Sequence, residues 1–398
     1  VFVVRHDDLR VFISAGESSG DLHASRLIEK LKQMGNVSVE AVGGKRMADA
    51  GARIVFPMEK ISVVGLSEVA VKLPALLQAF LRLRRHWKRH RPDLFIPVDF
   101  PGFNLRLAHT AKSLGIPVMY YVAPQVWAWG AGRLEALKKS VDKMVVVLPF
   151  EKELYERHGI PVEYVGHPLV DSVASGSDGA AFRKLLGFDA EAPLIGLLPG
   201  SRWHEVARLL PPMIGAFKEL KVRHPTCMAA IGLADTIPEL RVRRLAREGG
   251  INLPIVTDRT YDLIEASDVI LAASGTVTLE AALLQTPMVI VYGLSQLSWA
   301  VARRVVKTES VGLVNIVAGR RVVPEYLQKE VVPFKLAGEL DSMLFDVSRR
   351  QAVLEELSRV KELLGAPGAS ERAAAVAIEI AQRRGARSGW AGRRGNRP

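Results

Sequence analysis

Leu194-Ile-Gly-Leu-Leu198 runs straight into Pro199-Gly-Ser-Arg202, and the reading of this junction decides the fold. An apolar run without alternation predicts a strand covered on both faces, as in a parallel sheet. Pro and Gly end it, and an amphipathic helix is predicted from about His204. The first half of the chain repeats the order. Val11-Phe-Ile-Ser-Ala15 leads into Gly16-Glu-Ser-Ser-Gly20-Asp21, then a helix to about Met34. Further strand-like runs lie at Leu94 to Val98, Val118 to Val122, Lys143 to Leu148, Val269 to Ala272 and Met288 to Tyr292, mostly separated by helix-like stretches. Strand and helix in alternation give an α/β chain with two Rossmann-like, doubly wound domains. Two such domains facing across a cleft would take a ligand at the carboxyl ends of their strands.

The junction is expected near Gly166-His-Pro168 and the linker-like Ser175-Gly-Ser-Asp-Gly179. That gives a first domain over 1–168 and a second over 169–339, with helices over about 340–383 packing back on the first. Residues 384–398 are expected to be a basic, disordered tail.

At 398 residues, 48% hydrophobic and 24% charged, the chain can bury two ordinary cores. Cys227 is its single cysteine, which excludes an internal disulfide and suits a reducing cytoplasm. Asp7 and Asp8 argue against a secretory signal, and Glu68, Lys72 and Pro74 interrupt the one long apolar stretch, so no spanning helix is expected. The net charge of +12 is uneven: six arginines between Arg383 and Pro398 supply half of it. Arg82, Arg84, Arg85, Lys88, Arg89 and Arg91 cluster in one predicted helix. Such clusters suit nucleic acid, anionic lipid or simply a solvated face. The arginines stand apart from the aromatic segment Tyr120 to Trp129, which argues against nucleic acid. In the helix Pro74 to Arg91, Leu76, Leu77, Phe80, Leu83 and Trp87 form an apolar stripe that suits either packing on a sheet or docking on a membrane.

Five segments have the makings of chemistry. In Ala273-Ser-Gly-Thr-Val-Thr-Leu-Glu280 a Gly turn opens a helix, where Ser274, Gly275 and Thr276 could meet a phosphate and Glu280 ribose hydroxyls; an ordinary helix cap by Ser274 is the alternative. Ser201 and Arg202 follow a strand end, where a guanidinium can clamp a diphosphate or merely sit at the surface. Gly16, Glu17, Ser19 and Gly20 form an acidic turn better suited to sugar hydroxyls than to phosphate, with Asp21 capping its own helix as the plainer reading. Asp99, in Pro97-Val-Asp-Phe-Pro-Gly-Phe-Asn104, ends a strand and is the candidate general base, its pKa raised by Phe100 and Phe103, or else a turn residue before Pro101. Trp127 and Trp129 could stack on a sugar or pack a rim. His23, His167 and His204 are candidate acid–base groups, but none has metal-ligand spacing, and no metal or cofactor is expected.

In this order and spacing, the segments resemble the lipid-A-disaccharide synthase family. The resembling stretches include Ala15 to Asp21, Val42-Gly-Gly44, Asp99 to Asn104, Val122 to Trp129, Leu148-Pro-Phe-Glu151 and Val165 to Asp171. They continue through Leu198 to Arg202, Ala273 to Glu280, Pro287-Met288 and Asn315 to Arg320. The resemblance implies a GT-B fold and a metal-independent, inverting glycosyl transfer. The donor would be UDP-2,3-diacylglucosamine and the acceptor 2,3-diacylglucosamine 1-phosphate, lipid X. It makes Asp99 the base, Arg202 the diphosphate clamp with Ser201 beside it, and Ser274 to Glu280 the UDP site. Asn104, Trp127, Asn315 and the Gly16 to Gly20 turn would meet acceptor or substrate. It also implies peripheral contact with an anionic membrane at the cytoplasmic face of the inner membrane, and admits a homodimer. Arg321 departs from the acidic residue the family pattern leads one to expect there. Another GT-B UDP-sugar transferase or an epimerase is the alternative, since fold alone does not choose between them.

Overall fold

The apolar run Val11 to Ala15 is buried throughout because it lies between strands on both sides and helices on both faces. The computed structural model describes residues 9–62, 66–127, 132–173, 178–294 and 310–392. The expected contributions of Trp129, of residues 63–65, of the linker residues 174–177 and of 393–398 lie outside those described residues.

The chain divides into Val1–Pro168 with Ala366–Pro398, and Leu169–Gly365. The first unit carries β1 (Leu9–Ala15), β2 (Val37–Gly43), β3 (Arg53–Pro57), β4 (Leu94–Val98), β5 (Met119–Tyr121), β6 (Lys143–Val146) and β7 (Val162–Tyr164). These pair in parallel in the order β3-β2-β1-β4-β5-β6-β7. The second carries β8 (Leu194–Leu198), β9 (Met228–Leu233), β10 (Ile255–Thr257), β11 (Val269–Ala273), β12 (Met288–Tyr292) and β13 (Glu325–Leu327). Its parallel order is β10-β9-β8-β11-β12-β13. Strand order therefore reverses between β1 and β4, and again between β8 and β11. A ligand crevice opens at such a reversal, outside the carboxyl ends of the two strands. The loops after these four strands begin at Gly16, Asp99, Pro199 and Ser274, the segments with chemical content.

The helix Leu66–Arg89 decides between the two readings of its apolar stripe. Ala79, Leu83 and Trp87 are buried, with Leu76 and Phe80 packed against them. Trp87 meets Phe12 edge-on at 5.2 Å and Phe95 at 4.9 Å. This stripe packs on the sheet. Leu77 does not belong to it. With Leu73 and Leu81 it forms a second apolar line at i, i+4 and i+8, exposed by 54, 57 and 39% for Leu73, Leu77 and Leu81. The alternating strand period cannot reveal a second line on a helix; the 3.6-residue period places it beside Arg84 and Lys88.

The C-terminal helices correct the expected domain assignment. Pro333–Phe345 and Val347–Leu363 stay with the second unit, burying Leu336, Leu340 and Met343, then Val353, Leu357 and Val360. Arg350 donates to the Asp268 carbonyl at 3.2 Å and Arg320 pairs with Glu356 at 2.5 Å. Only the chain from Ala366 returns to the first unit. The helix Ala369–Gly392 packs on Ser18–Met34 through Ala369, Ala373, Ala374 and Ala377, whose small side chains let the backbones approach. Arg372 anchors it by donating to the Val165 carbonyl at 2.9 Å. This helix also runs past 384, where a disordered tail was expected.

Candidate functional site

In the first unit, Asp99 and Phe100 both adopt left-handed backbone, φ 46 and 49. For residues with a Cβ this costs on the order of 1–3 kcal/mol each. The loop holds because its polar groups are overdetermined. The Asp99 carbonyl accepts from Asn104 Nδ2 at 2.8 Å and from the Tyr120 hydroxyl at 2.7 Å, while the Asp99 N–H donates to the Val122 carbonyl at 3.2 Å. Burial, reinforced by the Glu17 carboxylate, pushes the Asp99 carboxyl up to about 6, against a bond from the Phe100 N–H. Asp99 is thus only half-buried but ionises close to neutrality, the range in which a general base is effective.

Around it, the turn after β1 is shaped by size. A Cβ on Gly16 would fall 2.3 Å from the Phe100 ring, and one on Gly20 3.3 Å from the Ala15 methyl. Ser19 is exposed and Glu17 half-exposed. Asp21 does not cap its own helix. It is buried and accepts from the N–H groups of Gly44, Arg46 and Met47 at 2.7, 3.1 and 3.4 Å, so it fixes the helix Lys45–Asp49 instead. Asn104 is likewise corrected. It is fully buried; its Oδ1 accepts from the Ser14 hydroxyl at 2.7 Å and its Nδ2 serves the carbonyls of Ser14, Val98 and Asp99. It ties β1 to β4 beneath Asp99 and does not offer a face to an acceptor.

Trp127 is half-buried, edge-on to Phe150 at 5.3 Å, and donates from Nε1 to Glu151 Oε1 at 3.2 Å. Glu151, to which no role was given from sequence, is 1% exposed. Its Oε2 accepts from the Leu148 N–H at 3.3 Å, closing the start of the helix Pro149–Arg157. Burial dominates over these bonds and one from the Val147 N–H and, with the Asp99 charge, pushes its carboxyl up to about 8. The sequence signal was there: an acid at the third position of a helix that begins with Pro directly after a buried strand.

In the second unit, Gly200 has φ 116, which permits the sharp turn after β8. Glu205 folds over that turn. Its Oε2 accepts from the Ser201 and Arg202 N–H groups at 3.2 and 3.3 Å, and its Oε1 contacts Arg202 Nη1 at 3.3 Å. The backbone donors of this turn are thus occupied by a carboxylate, while the Arg202 guanidinium is half-exposed in a surface ion pair. After β11, the Ser274 hydroxyl donates to the Val311 carbonyl at 2.7 Å. Thr276, not Ser274, is the cap of the short helix Val277–Leu283. A Cβ on Gly275 would meet nothing within 4 Å, so the turn is open above it. Glu280 is half-buried and accepts from the Tyr261 hydroxyl at 3.3 Å.

Asn315 is 1% exposed, and its amide is spent within the protein. Oδ1 accepts from the N–H groups of Val322 and Val323 at 2.7 and 3.0 Å; Nδ2 donates to the Val323 carbonyl at 2.9 Å and to Glu325 Oε1 at 2.7 Å. Glu325 also accepts from Val311 and Gly312 N–H. This buried pair fixes the loop whose Val311 carbonyl receives Ser274. Asn315 therefore supports the Ser274 turn from behind, where a direct substrate contact was expected.

Of the histidines, His204 is exposed. His23 and His167 are buried with their rings 6.1 Å apart, edge to face. Burial depresses both, to about 4 and about 3, so they are neutral at physiological pH.

Residues 11–379 match the family model for lipid-A-disaccharide synthetase. The lipid-A-disaccharide synthase of Myxococcus xanthus is 40% identical over 372 residues, 93% of this chain and 97% of that protein. Among solved structures, the glycotransferase of kitacinnamycin superposes with TM-score 0.63 at 16% identity, covering 94% of this chain and 99% of that one. UDP-GlcNAc 2-epimerase from Neisseria meningitidis bound to UDP-GlcNAc gives 0.62 at 13% identity, with 93% and 100% covered. At that identity the two structures carry the fold alone, the two-domain GT-B class. The sequence match over nearly the whole length carries more: this chain belongs to the lipid-A-disaccharide synthase family.

Proposed function

We propose that the chain transfers 2,3-diacylglucosamine from UDP to lipid X, forming the β(1→6) disaccharide 1-phosphate and UDP with inversion. The observation that carries the mechanism is Asp99, a half-buried carboxylate raised to about 6 on a strained loop at the reversal between β1 and β4. It takes the proton of the attacking hydroxyl as that oxygen bonds to the anomeric carbon of the donor. The bond from that carbon to the diphosphate oxygen breaks, and UDP leaves with the electron pair. Arg202 offers its guanidinium to the charge growing on the diphosphate. The Ser274 to Thr276 turn, open above Gly275, and Glu280 receive the nucleotide, with Ser201 flanking the diphosphate. Gly16, Glu17, Ser19, Gly20 and Trp127 border the acceptor side.

Asp99→Asn keeps shape and the backbone contacts but cannot take a proton. Turnover should fall by on the order of 10²–10⁴-fold, while calorimetry shows donor binding retained. Near-wild-type turnover in that variant removes Asp99 from the chemistry.

The acyl chains set the location. Each buried methylene holds a substrate in a bilayer by about 0.8 kcal/mol, so the enzyme meets its substrates at a membrane surface, bound peripherally, and we take that surface to be the cytoplasmic face of the inner membrane. Among the described residues no helix is long and apolar enough to cross a membrane. The exposed line Leu73, Leu77 and Leu81, beside exposed Arg82, Arg84, Arg85, Lys88 and Arg89, supports an anionic membrane as the contact.

A further inference from the structure

Glu151 is a buried carboxyl whose donors are the Trp127 indole and the backbone N–H groups of Leu148 and Val147, with no cation among its hydrogen-bond partners. It belongs to a structure that converges on one segment, residues 122–127. That segment is tied to Asp99 at its start, where the Val122 carbonyl receives the Asp99 N–H. It is tied to the helix Pro149–Arg157 twice. Trp127 donates to Glu151, and the Tyr155 hydroxyl donates to the Pro124 carbonyl at 3.4 Å. The Tyr120 hydroxyl closes the circle on the Asp99 carbonyl. The shape of the Asp99 loop thus depends on a segment whose far end is held by one carboxyl group.

We propose that Glu151 is a positioning residue for the Asp99 site: in its protonated form it holds Trp127 and the 122–127 segment in place, and its ionisation loosens them. The inference rests on Asp99 as the base. A buried carboxylate without a cation is costly, and opening the segment to water relieves that cost. The nearest acidic group acts in the same direction, against the N–H bonds that favour the charged form. The Asp99 carboxylate at the end of β4 opposes a second negative charge. Tyr155, on the same helix, is itself shifted upward by burial and then by Glu151, and Tyr120 on β5 is neutral well beyond this range, with Arg133 acting on Tyr120 as the nearby positive charge. The carboxyl consequently keeps its proton to about pH 8.

The test is the pH profile of kcat/KM for the full-length enzyme and two variants. Wild type should lose activity on an alkaline limb near pH 8. Glu151→Gln cannot ionise. It should abolish that limb, with donor KM unchanged. Trp127→Phe removes a donor that favours the charged form, so its limb should move to higher pH. Hydrogen exchange of residues 122–127, corrected for intrinsic rate, should rise across the limb in wild type and stay level in Glu151→Gln. An unchanged alkaline limb in Glu151→Gln, or exchange in that segment indifferent to pH, overturns the proposal. If Glu151→Gln does not fold, the shift in Trp127→Phe decides. Exchange needs no turnover, so it answers for Glu151 even where Asp99→Asn shows a different base.

Discussion

At the scale of single residues, Arg202 shows how far a motif can be read. Its place after a strand-ending turn was legible, and so was its charge. That Glu205 would fold back to take the turn's N–H groups and touch the guanidinium was not, because spacing says which side chains can meet but not which do. The pair is at the surface, where such bridges contribute about 0–1 kcal/mol, so a doubly charged diphosphate can draw Arg202 away. Arg202→Ala should then lower turnover by on the order of 10²–10³-fold, and Arg202→Lys should recover little, lacking the planar fork. Steady-state kinetics with saturating acceptor decides, and wild-type rates in the alanine variant would end the clamp assignment. Asn104 and Asn315 illustrate the opposite error. A polar residue in a recognisable motif looks the same in sequence whether it meets a ligand or a row of carbonyls, and both turned out to be buried braces. Glu151 escaped notice for a related reason: its chemistry comes from burial, which composition does not display.

At the scale of elements, Leu94–Val98, Leu194–Leu198 and Met288–Tyr292 were legible because they are continuous apolar runs, whereas the inner strands Val37–Gly43, broken by Ser38 and Glu40, and Met228–Leu233, with its alanines and glycine, were not. The edge strands Val162–Tyr164, Ile255–Thr257 and Glu325–Leu327 are three residues each, too short for any period to register. The helix Leu66–Arg89 was half legible. Its buried stripe and its basic stripe were seen, but Leu77 was assigned to the wrong one and Leu73 and Leu81 were passed over. The corrected face makes a two-part prediction. Replacing Arg82, Arg85 and Arg89 with Glu should weaken flotation on anionic vesicles at low salt, since each basic residue near such a surface contributes about 1 kcal/mol and salt screens it. Replacing Leu73, Leu77 and Leu81 with Ser should weaken flotation at every salt concentration. Circular dichroism should be unaltered in both, as all six side chains are exposed. Undiminished flotation in both folded variants would sink this face as the contact.

At the scale of the molecule, three buried groups of the first unit and the half-buried Asp99 set how its stability responds to pH. His23 and His167 titrate near 4 and 3 when folded and near 6.5 when unfolded, so their contribution is complete above 6.5 and drains away as pH falls toward 3. Asp99 and Glu151 are raised to about 6 and about 8 from 3.8 and 4.5, so their contribution is complete in acid and is lost as pH rises to about 8. Between roughly pH 4.5 and 6 the unfolded chain holds two extra protons on histidines and the folded chain two on carboxyls, and the slopes cancel. Urea midpoints should therefore show a plateau there, falling below it and falling again above roughly pH 6.5. His23→Gln with His167→Gln should flatten the acid decline, and Glu151→Gln the alkaline one. Midpoints that fall steadily across the plateau region would contradict this balance. The return of the chain at Ala366 has a consequence in time as well as in space. During synthesis the sheet from Leu9 to Tyr164 emerges before Leu169–Gly365, and the helix Ala369–Gly392 that packs on Ser18–Met34 emerges after it. Leu169–Gly365 is continuous and can close before that helix has been made. The unit begun earlier is thus completed later, and until Ala369–Gly392 arrives it carries the bare face of Ser18–Met34 as a target for chaperones.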